Sequence, residues 1–420
     1  MRVFIGLVVL VFVLPRIALS CMRAWWGEQK IALFSQQVLG RGMSKLTLRR
    51  VMIANKPLPD FDKWVHYLKG NFDLVGPKAI APSRLASLRN RHHKRFKVAP
   101  GIISPYKAKQ AAGIAHVSER EIAVDFVKND SKLRRLSLLF VLGVRRLLGV
   151  DNSKLPTPHQ FTLFGVGIDN LTMQQAVNRV MSKLLASSDK EEKRKAMSAT
   201  FAFVNADCAN QYYRNDDYRN TLNKFDGVFA DGIGVKMAAQ MSGLAMRENV
   251  NGTDMFPLLC EKLNKSSKRV FLLGAKPDVV EKVAERLAKE YPNLVIADYV
   301  DGYSYKDEQL ALRHRINRAN ADILFVAMGA PRQESWMKAN RSCLNVSAMV
   351  GVGGLFDFYS QTVSRAPEWI RELSMEWVWR LAVQPLDKGK RYLIGNPLFL
   401  ARVLINRRNQ KPSTINEVTQ

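Results

Sequence analysis

The chain has 420 residues, 47% of them hydrophobic, and exceeds the size at which one core usually stops growing, so two domains are expected. Its formal net charge of +27 calls for an anionic partner: nucleic acid, acidic lipid or a phosphorylated substrate. No zinc-finger spacing, aromatic–basic strand pair or lone recognition helix is evident, which disfavours nucleic acid, and Cys21, Cys208, Cys260 and Cys343 lack CxxC spacing and read as reduced cytosolic thiols.

Residues 3–14, VFIGLVVLVFVL, form an unbroken apolar run that stops at Pro15 and Arg16. It is short of the roughly 20 residues that one membrane-crossing helix takes. A secretory signal peptide, a re-entrant or interfacial membrane helix and a buried core helix all fit. Arg16 interrupts the apolar stretch and no exported domain follows, which favours a membrane helix broken at Pro15. From 41 to 150 the chain is strongly basic, with RNRHHKRFK at 89–97, and beside an apolar anchor such runs read as attraction to anionic lipid. His92 and His93 inside that run are expected to be exposed.

The segments YLKGNFDLVGPK at 67–78, RFKVAPGI at 95–102 and DFVKNDSKLRRLSLL at 125–139 resemble the bacterial sugar transferases that move a sugar phosphate onto polyprenyl phosphate. That resemblance implies a monotopic membrane domain, α/β or mainly α, over 1–150. The family's adjacent Asp-Glu pair has no counterpart in LRRVMIANKPLPDF at 48–61, where Asp60 and Asp62 lie too late. The domain is therefore expected to keep a membrane-docking shell and to have lost phosphotransferase chemistry, for want of its nucleophile.

Residues 151–160, around Pro156 and Pro158, read as a linker. Beyond it short apolar runs alternate with helical periods: FTLFGVG at 161–167, FAFVN at 201–205, VFAD at 228–231, RVFLLGA at 269–275, LVIADYV at 294–300, ILFVAMG at 323–329 and AMVGVGG at 348–354. This predicts a Rossmann-like α/β fold with a mostly parallel sheet over 161–360 and a helical membrane appendage over 361–410. Ligands of such sheets bind beyond the carboxyl ends of the strands. Asp231, followed by Gly232 and Gly234, stands at such an end and reads as a catalytic base, although an Asp there also serves as an ordinary helix cap. Gly274 and Gly329 end other strands, where glycine lets backbone N–H groups turn toward a diphosphate. No GxGxxG demands a nicotinamide cofactor, and no metal-binding Asp-x-Asp follows an apolar strand. Cationic side chains would then have to stabilise a leaving diphosphate, and Arg365, Arg371, Arg380, Lys388, Lys390 and Arg391 are the candidates. Trp369, Trp377 and Trp379 interleave with them, as suits a membrane interface or an ordinary packed helix.

Residues 163–404 resemble the WecG/TagA/CpsF glycosyltransferases nearly throughout: GVGIDNLT at 165–172, VNADCANQ at 204–211, FADGIGV at 229–235, NGTDMF at 251–256, GAPRQESW at 329–336, GVGGLFDF at 351–358 and SRAPEW at 364–369. The resemblance implies inverting transfer, without a cofactor or catalytic metal, from a UDP-sugar to a polyprenyl-diphosphate-linked saccharide. N-acetylmannosamine, its uronic acid or a glucose-like sugar would be the donor's sugar, and the reaction would serve cell-surface or exopolysaccharide synthesis. It makes Asp231 and Gln333 catalytic and places substrate contacts at Asn205, Gly232, Gly234, Asp254, Gly274, Gly329, Arg365, Arg380 and Arg391. The expected location is the anionic cytoplasmic face of a bacterial inner membrane, with homo-oligomerisation left open. Phe203 and Asp387 stand where the family usually has Thr and Arg, and Asn249 where it often has Arg. Two rivals remain at this point: an N-terminal sugar-phosphate transferase, and a non-catalytic scaffold of polysaccharide assembly.

Overall fold

The computed structural model describes residues 14–139 and 155–406, apart from 16, 28–29, 55, 59–60, 89, 113–117, 133, 137, 187–196, 267, 306, 368–369 and 372–374. The chain divides into two units, Met1–Val150 and Asp151–Gln420. Most of the apolar run at 3–14 lies outside the described residues, as do Asp60, Trp369 and the start of the linker at 151–154.

In the first unit β1 (Ile31–Leu39) and β2 (Lys45–Ile53) form an antiparallel hairpin in register from Ile31↔Ile53 to Leu39↔Lys45. A short β3 (Lys56–Pro57) extends it from β2. Helix α1 (Phe61–Leu68) packs on β2, where Asp62 accepts the Arg49 N–H at 2.7 Å. Strands β4 (Asp73–Val75) and β5 (Gly101–Ile103) pair in parallel. Helices α2 (Pro105–Ala112) and α3 (Glu119–Lys128) follow. Val38, Leu48, Tyr67 and Phe72 make the main core.

The basic run folds as a 3₁₀ helix, Asn90–Lys97, against α3. This corrects the expected exposure of His92. Its ring is buried and its Nε2 lies 3.0 Å from Glu121 Oε1, while Arg95, also buried, donates to the Lys78 carbonyl at 2.6 Å. Carboxylates on α3 face these side chains, which a count of charges along the run does not reveal.

The second unit is built on an eight-stranded sheet of order β11-β10-β12-β13-β8-β9-β7-β6. Its strands are β6 (Gln160–Leu163), β7 (Val166–Asp169), β8 (Ala199–Val204), β9 (Gly227–Ala230), β10 (Arg269–Gly274), β11 (Val295–Val300), β12 (Ile323–Ala327) and β13 (Ala348–Gly351). All pairings are parallel except β6–β7. The run FTLFGVG is therefore a hairpin and not one strand. It turns at Phe164 and Gly165, whose φ of +49° and +84° match a two-residue turn with positive φ at both positions.

Every position of β8 is buried because helices cover both sheet faces. Phe201 and Phe203 point into one core, shared with α4 (Met173–Ala186), α8 (Gly252–Leu263) and α9 (Pro277–Glu290). Ala202 and Val204 point into the other, beneath α5 (Ala206–Arg214), α6 (Asp216–Leu222) and α7 (Ile233–Met241). Helices α10 (Gln309–Ala319) and α11 (Arg332–Asn340) cover the remaining strands, and α12 (Leu355–Tyr359) follows β13. The chain then forms α13 (Glu376–Val383), α14 (Pro385–Gly389), a π turn and α15 (Asn396–Asn406). Phe399 and Val403 anchor α15 in the α5–α7 core, and Arg402 donates to Asn210 Oδ1 at 2.7 Å. Among the described residues no helix is long and apolar enough to cross a membrane.

Candidate active site

The carboxyl ends of β8, β9, β10, β12 and β13 converge on one cavity of about 450 Å³. Asp231 enters it directly after β9. Its backbone N–H donates to Val204 O at 2.9 Å, tying the end of β9 to β8. Gly232 then turns the chain at φ +91°, a conformation that glycine adopts without strain. Asn249 Oδ1 accepts the Gly232 N–H at 2.5 Å and fixes this turn. Gly232 itself is the cap position of α7 and no side chain caps that helix, so Asp231 is not a helix cap.

Burial pushes the Asp231 carboxyl up to about 6, against the pull of Arg380 and Arg391 and with the help of Glu376 and Asp254. A carboxyl with that value is ionised at neutral pH and is a stronger proton acceptor than an exposed aspartate.

Asn205 lines the same cavity and caps α5, its Oδ1 accepting from Asp207 N at 3.0 Å and Cys208 N at 3.1 Å. The cap leaves its NH2 group as the end that a ligand can use. Gly329 lines the cavity at φ +76°, and its carbonyl accepts from Gln333 N at 2.9 Å. Gln333 is buried in the wall, where its Oε1 accepts the Gly353 N–H at 2.9 Å and its Nε2 donates to Glu334 Oε1 at 2.7 Å. Its amide thus braces the loop after β13.

Arg380 and Arg391 reach the cavity from the C-terminal segment. Arg380 pairs with Glu376 at 2.8 Å and lies over the Phe358 ring at 4.7 Å, and Arg391 Nε stands 3.4 Å from Asp207 Oδ2.

The remaining expected contacts lie off the cavity lining. Arg365 forms an ion pair with Asp254 at 2.5 Å, and Asp254 is further held by Asn251 Nδ2 at 2.8 Å, so these two residues serve each other. Gly234 allows α7 to pass α5, since a Cβ there would meet Ala206 Cβ at 2.9 Å. Gly274, at φ +120°, allows β10 to approach β12, where a Cβ would lie 2.4 Å from Ala327 O.

A family model described as the glycosyl transferase WecG/TagA/CpsF family matches residues 161–413. The chain belongs to this family. It is 34% identical over 235 residues to the N-acetylglucosaminyldiphosphoundecaprenol N-acetyl-beta-D-mannosaminyltransferase of Bacillus subtilis (strain 168), covering 56% of this chain and 90% of that protein. Proteins of the same name from Bacillus spizizenii (strain ATCC 23059 / NRRL B-14472 / W23) and Staphylococcus aureus (strain NCTC 8325 / PS 47) are 32% and 26% identical, over 49% and 59% of this chain and 79% and 94% of theirs.

In this glycosyltransferase the lining also holds Phe203, Lys276 and Asp357, which were not expected as site residues, together with Lys388. Burial raises the Asp357 carboxyl while Lys388 and Lys276 oppose that rise. Lys276 carries a signal that could have found it: it follows the strand-ending Gly274–Ala275 pair and stands at the N-terminus of α9. Asp357 lies within the GVGGLFDF stretch, and Lys388 and Lys276, which act on it, come from distant parts of the chain.

Proposed function

We propose that this glycosyltransferase moves an N-acetylmannosamine-type sugar from a UDP-sugar to a saccharide carried on polyprenyl diphosphate, with inversion at the anomeric carbon. The observation that carries this reading is the Asp231 carboxylate at the end of β9, lining one cavity with Arg380 and Arg391. The acceptor hydroxyl oxygen bonds to the donor's anomeric carbon as the bond from that carbon to the diphosphate oxygen breaks. Asp231 takes the hydroxyl proton, and UDP leaves with the bonding electron pair. Arg380, Arg391, Lys276 and Lys388 would offset the charge that develops on it, so that no catalytic metal or cofactor is needed. The names of the relatives support the N-acetylmannosamine donor and a diphospholipid acceptor bearing N-acetylglucosamine.

The same reading places the enzyme on the anionic cytoplasmic surface of an inner membrane, docked through its C-terminal segment and its first unit. Support comes from the net charge of +27 and from apolar side chains left in solvent: Leu386 (96% exposed), Leu393, Ile394 and Ile405 in one unit, Trp25 and Trp26 in the other. Residues 1–150 would act there as a docking domain that has lost its own transferase chemistry.

The test is transfer by membranes carrying the protein, given UDP-sugars and lipid-diphosphate acceptors. UDP release that disappears in Asp231→Asn is expected. UMP release, or activity unchanged by that substitution, would overturn the reading.

A further inference from the structure

Glu334 has no role in the chemistry above, yet it is the most deeply buried carboxylate beside the cavity, with 0% of its surface exposed. Its Oε1 accepts from Gln333 Nε2 at 2.7 Å, and the Tyr218 hydroxyl is the other side-chain donor that acts on it. Burying a carboxylate this completely is costly, and such a group calls for a reason.

We propose that Glu334 is a positioning residue that fixes the orientation of the Gln333 amide and, through it, the cavity-lining loop Gly351–Gly354. The inference rests on the reading of that cavity as the sugar-transfer site.

An ionised carboxylate can only accept hydrogen bonds, so the amide beside it must present its NH2 end. That leaves Gln333 Oε1 facing the Gly353 N–H, which donates to it at 2.9 Å. Were the amide reversed, its NH2 would oppose another donor and release the loop. The fit is close: a Cβ on Gly351 would lie 2.9 Å from Gln333 Nε2, so glycine is needed beside the amide. Protonation of Glu334 gives it a donor of its own and removes the constraint.

The ionisable groups facing Glu334 are the Tyr218 hydroxyl on α6 and the Cys208 thiol on α5, both raised by burial. Strands β8 and β13 bring none, and Lys338, on α11 itself, donates to Thr221 Oγ1 instead. Burial accordingly pushes Glu334 up to about 7, with the Gln333 hydrogen bond the main opposing influence.

The test compares the unaltered enzyme with Glu334→Gln, which keeps the shape and removes the charge. The unaltered enzyme should lose kcat through two ionisations on the acid side, near 7 and near 6, and the variant through the second alone, with kcat at high pH about tenfold lower. Hydrogen exchange at residues 351–354, corrected for the intrinsic effect of pH, should speed up below pH 7 in the unaltered protein and be independent of pH in the variant. That exchange needs no turnover, and its first arm needs no variant to fold. Identical acid limbs and identical loop protection in the two proteins would overturn the role of Glu334. An unaltered enzyme that released no UDP would instead overturn the reading of the cavity, and exchange alone would then decide for or against Glu334.

Discussion

Asn249 Oδ1 accepts the backbone N–H of Gly232 at 2.5 Å, so a side chain 17 positions further along the chain fixes the turn that aims Asp231 into the cavity. Asparagine supplies here an acceptor that an arginine would not. Asn249→Ala should leave the Gly232 N–H without its partner and lower kcat about tenfold, at roughly 1–3 kcal/mol for a lost buried acceptor. Steady-state kinetics at saturating donor check this.

Asp231→Asn should lower kcat by about 10²–10⁴ while the donor still binds, which single-turnover and binding measurements separate. The same substitution should stabilise the fold at neutral pH. The folded-state value near 6 exceeds the ordinary 3.8, so holding Asp231 ionised at pH 7 opposes folding. The gain in Tm should shrink as pH falls through about 6 and vanish once both states are protonated, below the ordinary value.

Arg365 was expected to hold phosphate, but the structure pairs it with Asp254 at 2.5 Å, with Arg371 3.8 Å from the same carboxylate. Arg365→Ala should therefore act mainly on stability. It should cost on the order of 2 kcal/mol by leaving a partly buried carboxylate short of its partner, with little change in UDP affinity. Urea titration and calorimetric UDP binding tell the two effects apart.

Phe399, 1% exposed, carries α15 onto the hairpin turn, its ring centroid 5.9 Å from that of Phe164. Phe399→Ala should cost about 3–5 kcal/mol as a large-to-small core change, read from denaturant unfolding.

The strand ends were legible in the sequence because short apolar runs followed by glycine or an acid mark where a covered parallel strand stops. Asn205, Asp231, Gly329 and Gln333 all reach the cavity lining on that basis. Other features depend on pairings far apart in the chain. Arg365 and Asp254 are 111 residues apart, and nothing local marks either as the other's partner. The hairpin at Phe164 was hidden because its turn uses an apolar residue at positive φ, held between Tyr213 and Phe399. His92 was misread since burial of a basic run depends on the acids of α3, which lie 29 residues on at Glu121.

The most direct measurement is the nucleotide released when the protein, in membranes, is given UDP-N-acetylmannosamine and a polyprenyl-diphosphate-linked N-acetylglucosamine acceptor. UDP formed in step with a lengthened lipid-linked saccharide, and abolished in Asp231→Asn, is the expected result. UMP as the product, or undiminished UDP release from Asp231→Asn, would contradict it.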